Sequence, residues 1–354
     1  MQQVNEEERK RIEQLIRSIP KAEIHLHLEG VASVDTHWQL LKTNKITVEG
    51  INSRDDLVER FKIKSLDEFI WLFINILQNA FRSSKDLEWL IKDAHAYLSR
   101  NNIPYAEIFF APSKFIQNGL EFGAMMKILE DGARRLKKEA GIEIKYIIDV
   151  SRSYGVENAE KNLALTLKHL NDSIIGIGLG GAESQGAAKD FSAVFKKATA
   201  GGLKVVAHAG EDQDSSSIWN TLKYLKATRI GHGISAVDDK KLMKYLAEKH
   251  IPLELCPTSN LFTRKYVQRM EDHPIRTFFD KKINVTLNTD DPTLFGIELV
   301  GEYLNLYQYL DFSLDELFQI IKNTIYSTFL DTPAKDALWA RSAKAIREAG
   351  YTAP

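Results

Sequence analysis

Four histidines and a pair of adjacent acids give this sequence its chemical content. His25 and His27 flank Leu26 at the end of an apolar stretch. In a strand, side chains two apart project from one face, so both imidazoles can grip the same metal ion. Three further segments carry residue types that suit that ion: Ala207-His208-Ala209-Gly210-Glu211, Ile230-Gly231-His232-Gly233 and Asn288-Thr289-Asp290-Asp291-Pro292. Each again follows a short apolar run. Three imidazoles, a carboxylate and a spare acid are the parts of a hydrolytic zinc site. Histidines two apart also arise by chance, so the argument rests on the whole set. The remaining histidines offer no comparable set. His37, His95, His169 and His250 fall in helical or helix-end contexts and read as packing or surface residues, while His273, just before Pro274, reads as part of a turn.

Such a site needs strands that converge. Apolar runs of strand length recur at Ala22–Leu28, Tyr105–Phe110, Ile144–Val150, Ile174–Leu179, Leu203–His208, Arg229–Ile230 with its approach, Ile251–Leu255 and Ile283–Leu287. Helical patterns lie between most of them, as at Phe191–Ala200, Ile218–Lys226 and Lys240–Lys249. Continuous apolar strands alternating with helices indicate a parallel sheet covered on both sides. Eight runs fit a closed (β/α)8 TIM barrel better than an open, doubly wound sheet, although periodicity alone does not separate the two. In such barrels chemistry sits at the C-terminal ends of the strands. His25 and His27 end the first run, His208 ends the fifth, His232 follows the sixth and Asp290 follows the eighth.

The first gap is longer than one helix requires. Within it Ser65 is a helix N-cap with Glu68 three residues on, and Leu66, Phe69, Ile70 and Phe73 keep the rhythm of a buried helical face. The segment over about residues 31–100 is therefore expected to be a helical insertion that either covers the barrel mouth as a lid or extends the core. With no internal repeat, low-complexity tract or Pro-rich linker, residues 1–354 read as a single decorated domain.

Bulk properties exclude more than they assign. A chain of 354 residues can bury a large core. A net charge of -1 gives no reason to expect nucleic acid or a membrane surface as partner. The one cysteine, Cys256, allows neither a disulfide framework nor a Cys-x-x-Cys zinc module, and fits a reducing compartment. The first eighteen residues lack the apolar centre of a signal peptide, and no stretch is apolar enough to span a bilayer. The expectation is a cytoplasmic protein acting on a small molecule.

Taken together, the segments resemble the adenosine deaminase family of the amidohydrolase superfamily over nearly the whole chain. The resemblance is carried by Pro20-Lys21-Ala22-Glu23-Ile24-His25-Leu26-His27-Leu28-Glu29-Gly30, the His208–Glu211 segment, Arg229-Ile230-Gly231-His232-Gly233, Cys256-Pro257-Thr258-Ser259-Asn260 and Asn288–Pro292, in order and at family spacing. It implies a (β/α)8 barrel with one zinc per chain, held by His25, His27, His208 and Asp290. A water completing the shell would be acidic enough to attack near neutral pH. The same resemblance gives His232 the task of orienting that water and stabilising charge as C6 of a purine is attacked. Glu211 would protonate ring N1, Asp291 would donate to N7, and the backbone N–H of Gly181 would donate to N3, with His27 and Glu29 also on the substrate side. Both Glu211 and Asp291 must then be protonated when substrate binds, which requires raised pKa values. Loss of ammonia would leave a 6-oxopurine, so the implied activity is zinc-dependent deamination of adenosine or an adenosine-like nucleoside.

Neighbouring chemistries are set apart by what the sequence lacks. Two-metal relatives carry a lysine at the end of strand four, where this chain has Gly178-Leu179-Gly180-Gly181-Ala182-Glu183. Cysteine-based zinc deaminases need a Pro-Cys-x-x-Cys segment, which one cysteine cannot supply. The strand-four glycines lack phosphate-loop spacing and read as room for a flat ring to approach backbone. Departures from the family pattern bear on substrate. Glu29 stands where adenosine enzymes carry Asp near the ribose, and Phe109 stands where many carry Arg. These positions, the glycine string and Ser217-Ile218-Trp219 are similar to a bacterial group that deaminates 6-aminodeoxyfutalosine in menaquinone synthesis. That substrate is the alternative, with methylthioadenosine, adenine and N6-methyl-AMP behind it; Trp219 can equally be a helix-packing residue. A metal-dependent amide or ester hydrolase would not need both Glu211 and Asp291. A catalytically dead binding protein would be expected to have lost a ligand or the acid, and none is missing.

Overall fold

Eight strands, all parallel and each hydrogen-bonded to the next in sequence order, form one sheet: β1 Ala22–His27, β2 Tyr105–Phe110, β3 Glu143–Ser151, β4 Ile174–Gly180, β5 Lys204–Ala209, β6 Arg229–His232, β7 Leu253–Leu255 and β8 Val285–Leu287. A computed structural model of the chain describes residues 5–63, 65–263 and 265–354. The order excludes a doubly wound sheet, in which the strand order reverses at a switch point. β8 meets β1 just past its own end. The backbone N–H of His27 donates to the Asp290 carbonyl at 2.9 Å, that of Asp290 donates to the His25 carbonyl at 3.1 Å, and the Asn288 side-chain carbonyl accepts from Ile24 and His25 at 3.0 and 3.1 Å. The seam that closes the (β/α)8 barrel therefore runs through the proposed ligand segments themselves.

Strand alternation divides the residues into two layers. Ile108, Phe110, Ile148, Val150, Val205 and Ala207 join the large core beneath the helices, whereas Phe109, Ile147 and Val206 form a separate small cluster with Ile175 and Phe329 packed against it. This second cluster fills the barrel interior, and the polar residues of the strand ends stand above it.

Between β1 and β2 lie helices at Val34–Thr43, Arg54–Arg60 and Leu66–Leu72, the last running into a π-helical turn at Phe73–Leu77, and then a long helix at Leu87–Arg100. Ser65 caps its helix as its spacing suggested, accepting from the Glu68 N–H at 3.2 Å. Phe69, Ile70, Phe73 and Ile74 turn toward a cavity at the C-terminal end of the barrel; the Leu66 side chain lies outside the described residues. Among the described residues, no helix is long and apolar enough to cross a membrane.

Candidate active site

The cavity above the strands is lined by His27, His208, Glu211, His232, Asp290, Asp291 and Gly181, with His25 fully buried beneath them. His27 Nε2 lies 3.2 Å from His208 Nε2 and 3.2 Å from Asp290 Oδ1, and His25 Nε2 lies 3.4 Å from the same oxygen. Donors about 2.0–2.1 Å from one ion in tetrahedral array are themselves roughly 3.4 Å apart, so these separations match a four-donor cage. Among the described residues, buried His25 Nε2 has no hydrogen-bond partner, which suits a nitrogen that ligates a cation. Four donor atoms within 4.8 Å of one another can also be drawn from His25, His208, His232 and Asp290. In that set His232 offers Nε2, 3.9 Å from Asp290 Oδ2, because its Nδ1 meets Asn260. Two overlapping donor sets are thus present, one including His27 and one including His232. His232 and Asp290 both adopt positive φ, 59° and 66°, a conformation that non-glycine residues avoid unless their surroundings impose it.

A layer below orients these groups. His25 Nδ1 lies 2.8 Å from Glu254 Oε2, which leaves its Nε2 lone pair facing the cage. Glu254 accepts from Arg229 Nε at 2.5 Å, and Arg229 Nη1 donates to Glu107 at 2.5 Å while its guanidinium lies 3.8 Å over the Phe329 ring. Burial pushes the Glu254 carboxyl up, but the Arg229 charge and the His25 contact outweigh it and hold the group low. Ser259 Oγ donates to Asp290 Oδ2 at 2.7 Å. Glu183 gathers the turn after β5, accepting from the N–H groups of Gly210, Glu211 and Asp212 at 2.9, 2.8 and 3.1 Å and from the Ser217 hydroxyl. Arg152 is buried alongside and donates to the His208 carbonyl at 2.8 Å.

The two spare acids are treated differently. Glu211, with a side chain 16 % exposed through the cavity, lies 3.4 Å from His232 Nε2. Its carboxyl is held well above the usual range, by burial first and then by the charges of Asp290, Glu183 and Asp212. Asp291 is also pushed well up, by burial, against the pull of His27 and with the help of Asp290 and Glu29. Among the described residues, neither of its oxygens has a hydrogen-bond partner. A Cβ at Gly30 would come within 1.9 Å of Asp291 Oδ1, so glycine there makes the room this carboxyl occupies.

Other residues singled out in the sequence lie elsewhere. Glu29 is fully buried behind the cavity wall, accepting from Gln78 at 3.2 Å and the Ala111 N–H at 3.0 Å, and burial lifts its carboxyl to about 7. Phe109 stacks on His27 at 5.0 Å and meets His25 edge-on at 4.9 Å, beneath the cage. Trp219 sits in helix packing, its Nε1 donating to Asp239 at 2.9 Å. The room expected above the strand-four glycines for a flat ring is taken at Gly178 and Gly180 by the Asp149 carboxylate, since a Cβ at either would come within 2.4 Å of its oxygens. Asp149 lines the cavity and burial raises it to about 6. His273, read as a turn residue, is 3 % exposed and reaches the site through Asn260. Sequence reasoning missed Asp149, Glu254, Glu107 and Arg152. The first three had a signal in their polarity within otherwise apolar strands.

A closed parallel barrel with a histidine and aspartate cage at its C-terminal mouth defines the class of protein. The adenosine deaminase family model matches residues 20–345, and the chain belongs to this family and is a hydrolytic deaminase. It is 34 % identical over 322 residues to an aminodeoxyfutalosine deaminase of Streptomyces coelicolor, covering 90 % of this chain and 82 % of that one. It is 32 % identical over 330 residues to an adenosine deaminase of Shewanella loihica, covering 92 % and 99 %. The crystal structure of an adenine deaminase from Arthrobacter aurescens superposes with a TM-score of 0.87 at 27 % identity, covering 93 % and 99 %.

Proposed function

We propose that the protein deaminates a 6-aminopurine nucleoside, adenosine or an adenosine-like compound, with one zinc ion held by His25, His27, His208 and Asp290. The observation that carries this reading is the placement of two spare acids, Glu211 and Asp291, in one cavity with the cage, where burial favours the protonated form of each. A purine presents N1 and N7 as acceptors, and only protonated carboxyls can donate to them. A simple amide hydrolase has no use for two such donors. The relatives' activities, on aminodeoxyfutalosine, adenosine and adenine, share the same reacting edge.

Bound in the cage, the ion would supply Lewis acidity, lowering the pKa of a water it coordinates. Protein groups do the rest. Glu211 gives its proton to N1, which draws electrons from C6 and makes that carbon electrophilic. Asp291 donates to N7 and the Gly181 N–H to N3, so the ring lies with C6 toward the cage. His232 stabilises the negative charge that develops on the attacking side. Of the two protons of the attacking water, one leaves with the exocyclic nitrogen as ammonia and the other restores Glu211, while N1 keeps the proton it received in the 6-oxopurine. The insertion's Phe69, Ile70, Phe73 and Ile74 exclude water from above, acting as a lid.

A second reading, 6-aminodeoxyfutalosine as substrate, draws on a specific feature. The outer cavity is walled by Phe69, Phe73, Phe262 and Phe295, with Phe69 stacked on Phe295 at 5.7 Å and Phe262 4.9 Å from Phe295. Such a wall suits an aryl extension on the nucleoside. Ammonia release from zinc-loaded protein on a panel of adenine, adenosine, deoxyadenosine, methylthioadenosine, N6-methyl-AMP and 6-aminodeoxyfutalosine separates the readings. Preference for adenosine supports the first and preference for the aryl-extended nucleoside supports the second. No turnover of any of them, with the metal verified in the site, sinks both.

A further inference from the structure

Behind His232 runs a chain of hydrogen bonds whose direction is set by a backbone group. The Ile275 N–H can only donate, and it meets His273 Nδ1 at 3.2 Å. Neutral His273 therefore carries its proton on Nε2, which faces Asn260 Oδ1 at 3.1 Å. The other end of that amide, Nδ2, lies 3.1 Å from His232 Nδ1. An amide nitrogen only donates, so His232 Nδ1 must accept. Its proton then sits on Nε2, pointing at Glu211 Oε2 at 3.4 Å and Asp290 Oδ2 at 3.9 Å.

We infer that Asn260 and His273 are positioning residues that hold neutral His232 with its proton on Nε2, making the ring a hydrogen-bond donor into the cavity rather than a base through that nitrogen. All three side chains are buried. Neutrality follows from the same geometry, because a doubly protonated His232 would set Nδ1–H against the Asn260 amide hydrogens and a doubly protonated His273 would set Nδ1–H against the Ile275 N–H. The opposite His232 tautomer would set Nδ1–H against the Asn260 amide hydrogens. An unmade buried hydrogen bond of that kind shifts a tautomer ratio by about 10–100-fold. Turning the amide over does not help, because it would then present its hydrogens to the His273 Nε2–H that Ile275 has fixed. The helix Pro257–Thr263 thus serves two groups at once, Ser259 orienting Asp290 and Asn260 orienting His232. A neutral ring with Nε2–H can stabilise developing negative charge, but it cannot accept the nucleophile's proton at that atom.

The role of His232 toward substrate rests on the deaminase reading; its tautomer does not, and can be read without metal or substrate. In metal-free protein labelled with 15N-histidine, long-range 1H–15N correlations report which ring nitrogen is protonated, and His232→Gln identifies the resonances. Wild type is expected to show Nε2–H. Asn260→Asp keeps the shape but replaces the donor with an oxygen, and is expected to place a proton on Nδ1. In the zinc-loaded enzyme its kcat should fall about 10²–10⁴-fold with KM little changed. His273→Gln, whose amide can still donate to Asn260, should retain Nε2–H and most of kcat. A wild-type His232 protonated on Nδ1 overturns the inference, as does Asn260→Asp with wild-type kcat. If Asn260→Asp does not fold, the wild-type spectrum and His273→Gln decide. An Nε2–H spectrum in a protein that deaminates nothing would defeat the proposed function and leave this inference standing.

Discussion

Arg229 and Glu254 lie as deep in the barrel as Asp291, close under the same cage, yet the two sets of ionisable groups are surrounded in opposite ways. Arg229 is gripped by Glu107 and Glu254 at 2.5 Å each, and Glu254 passes the contact to His25. Around Glu211 the nearby charges are mostly carboxylates, around Asp291 they are His27 and His25 beside Asp290 and Glu29, and among the described residues Asp291 has no hydrogen-bond partner. Compensated charge fixes geometry, because every oxygen and N–H has one place to be. Uncompensated acid keeps its proton, because ionising it in a dry, negative setting is unfavourable. The first set holds His25, and the second is where the proposed deamination needs protonated donors.

The largest test of this contrast is Glu211→Gln. The variant should bind zinc as wild type does but lose about 10³-fold or more of kcat, since an amide cannot give up a proton to N1. Full activity in steady-state ammonia release would defeat Glu211 as the acid. On the compensated side, Arg229→Met should destabilise the fold by about 3–5 kcal/mol, because it leaves two buried carboxylates unpaired. Urea unfolding of the variant beside wild type measures this, and an unchanged midpoint would show that the network does not organise the barrel.

Two further buried carboxyls extend the comparison. Glu23 and Glu302 have only neutral hydrogen-bond donors, among them Tyr97 and Thr289 for Glu23 and Thr258 and Asn305 for Glu302, and burial raises each to about 7. Folded pKa values above the unfolded ones mean that the native state binds more protons between pH 4.5 and 7, so stability should fall as pH rises through that window. Lys21, lowered by burial from 10.5 to about 7, acts in the opposite sense above pH 7, where the unfolded state holds the extra proton and stability should recover. Each carboxyl contributes at most about 3 kcal/mol to these changes and Lys21 at most about 5 kcal/mol. Because buried histidines such as His37 and His273 titrate in the opposite sense between pH 5 and 6.5, the test compares denaturation midpoints of wild type with those of Glu23→Gln and Glu302→Gln at pH 5 and 7; a wild-type advantage that does not shrink from pH 5 to 7 would mean that these carboxyls are ionised in the fold.

The smallest expected effect discriminates most finely. If Asp291 works as a protonated donor, Asp291→Asn retains a donor and should keep kcat/KM within about tenfold, whereas Asp291→Ala should lose about 10²-fold. Equal losses in the two variants would mean that Asp291 acts as a charge.

Much of this arrangement was legible in the chain. His25, His27, His208, His232 and Asp290 follow apolar runs, and a run of strand length has a readable C-terminal end; β2 matches its expected bounds at Tyr105–Phe110. Strand edges drifted by a residue or two elsewhere, as at β7, which starts at Leu253 rather than Ile251. His273 was misread because Pro274 marks a local turn correctly, while the residue that needs its imidazole, Asn260, comes from another segment. Asp149 and the glycines beneath it were separated for the same reason, since the carboxylate over Gly178 and Gly180 belongs to the neighbouring strand.

Sequence by itself determined the alternation of strand and helix and the residue types at the strand ends, because these follow from local periodicity, whereas the closure of the sheet into a barrel was decided by the strand order and by the seam between Asn288–Asp290 and β1. Only the tertiary structure decided which acids are buried without a compensating charge, which residues stand between the histidines and the strands, and which segment supplies the partner of each imidazole. Those properties depend on burial and on hydrogen-bond partners contributed by strands and helices distant in sequence, and no single segment carries them.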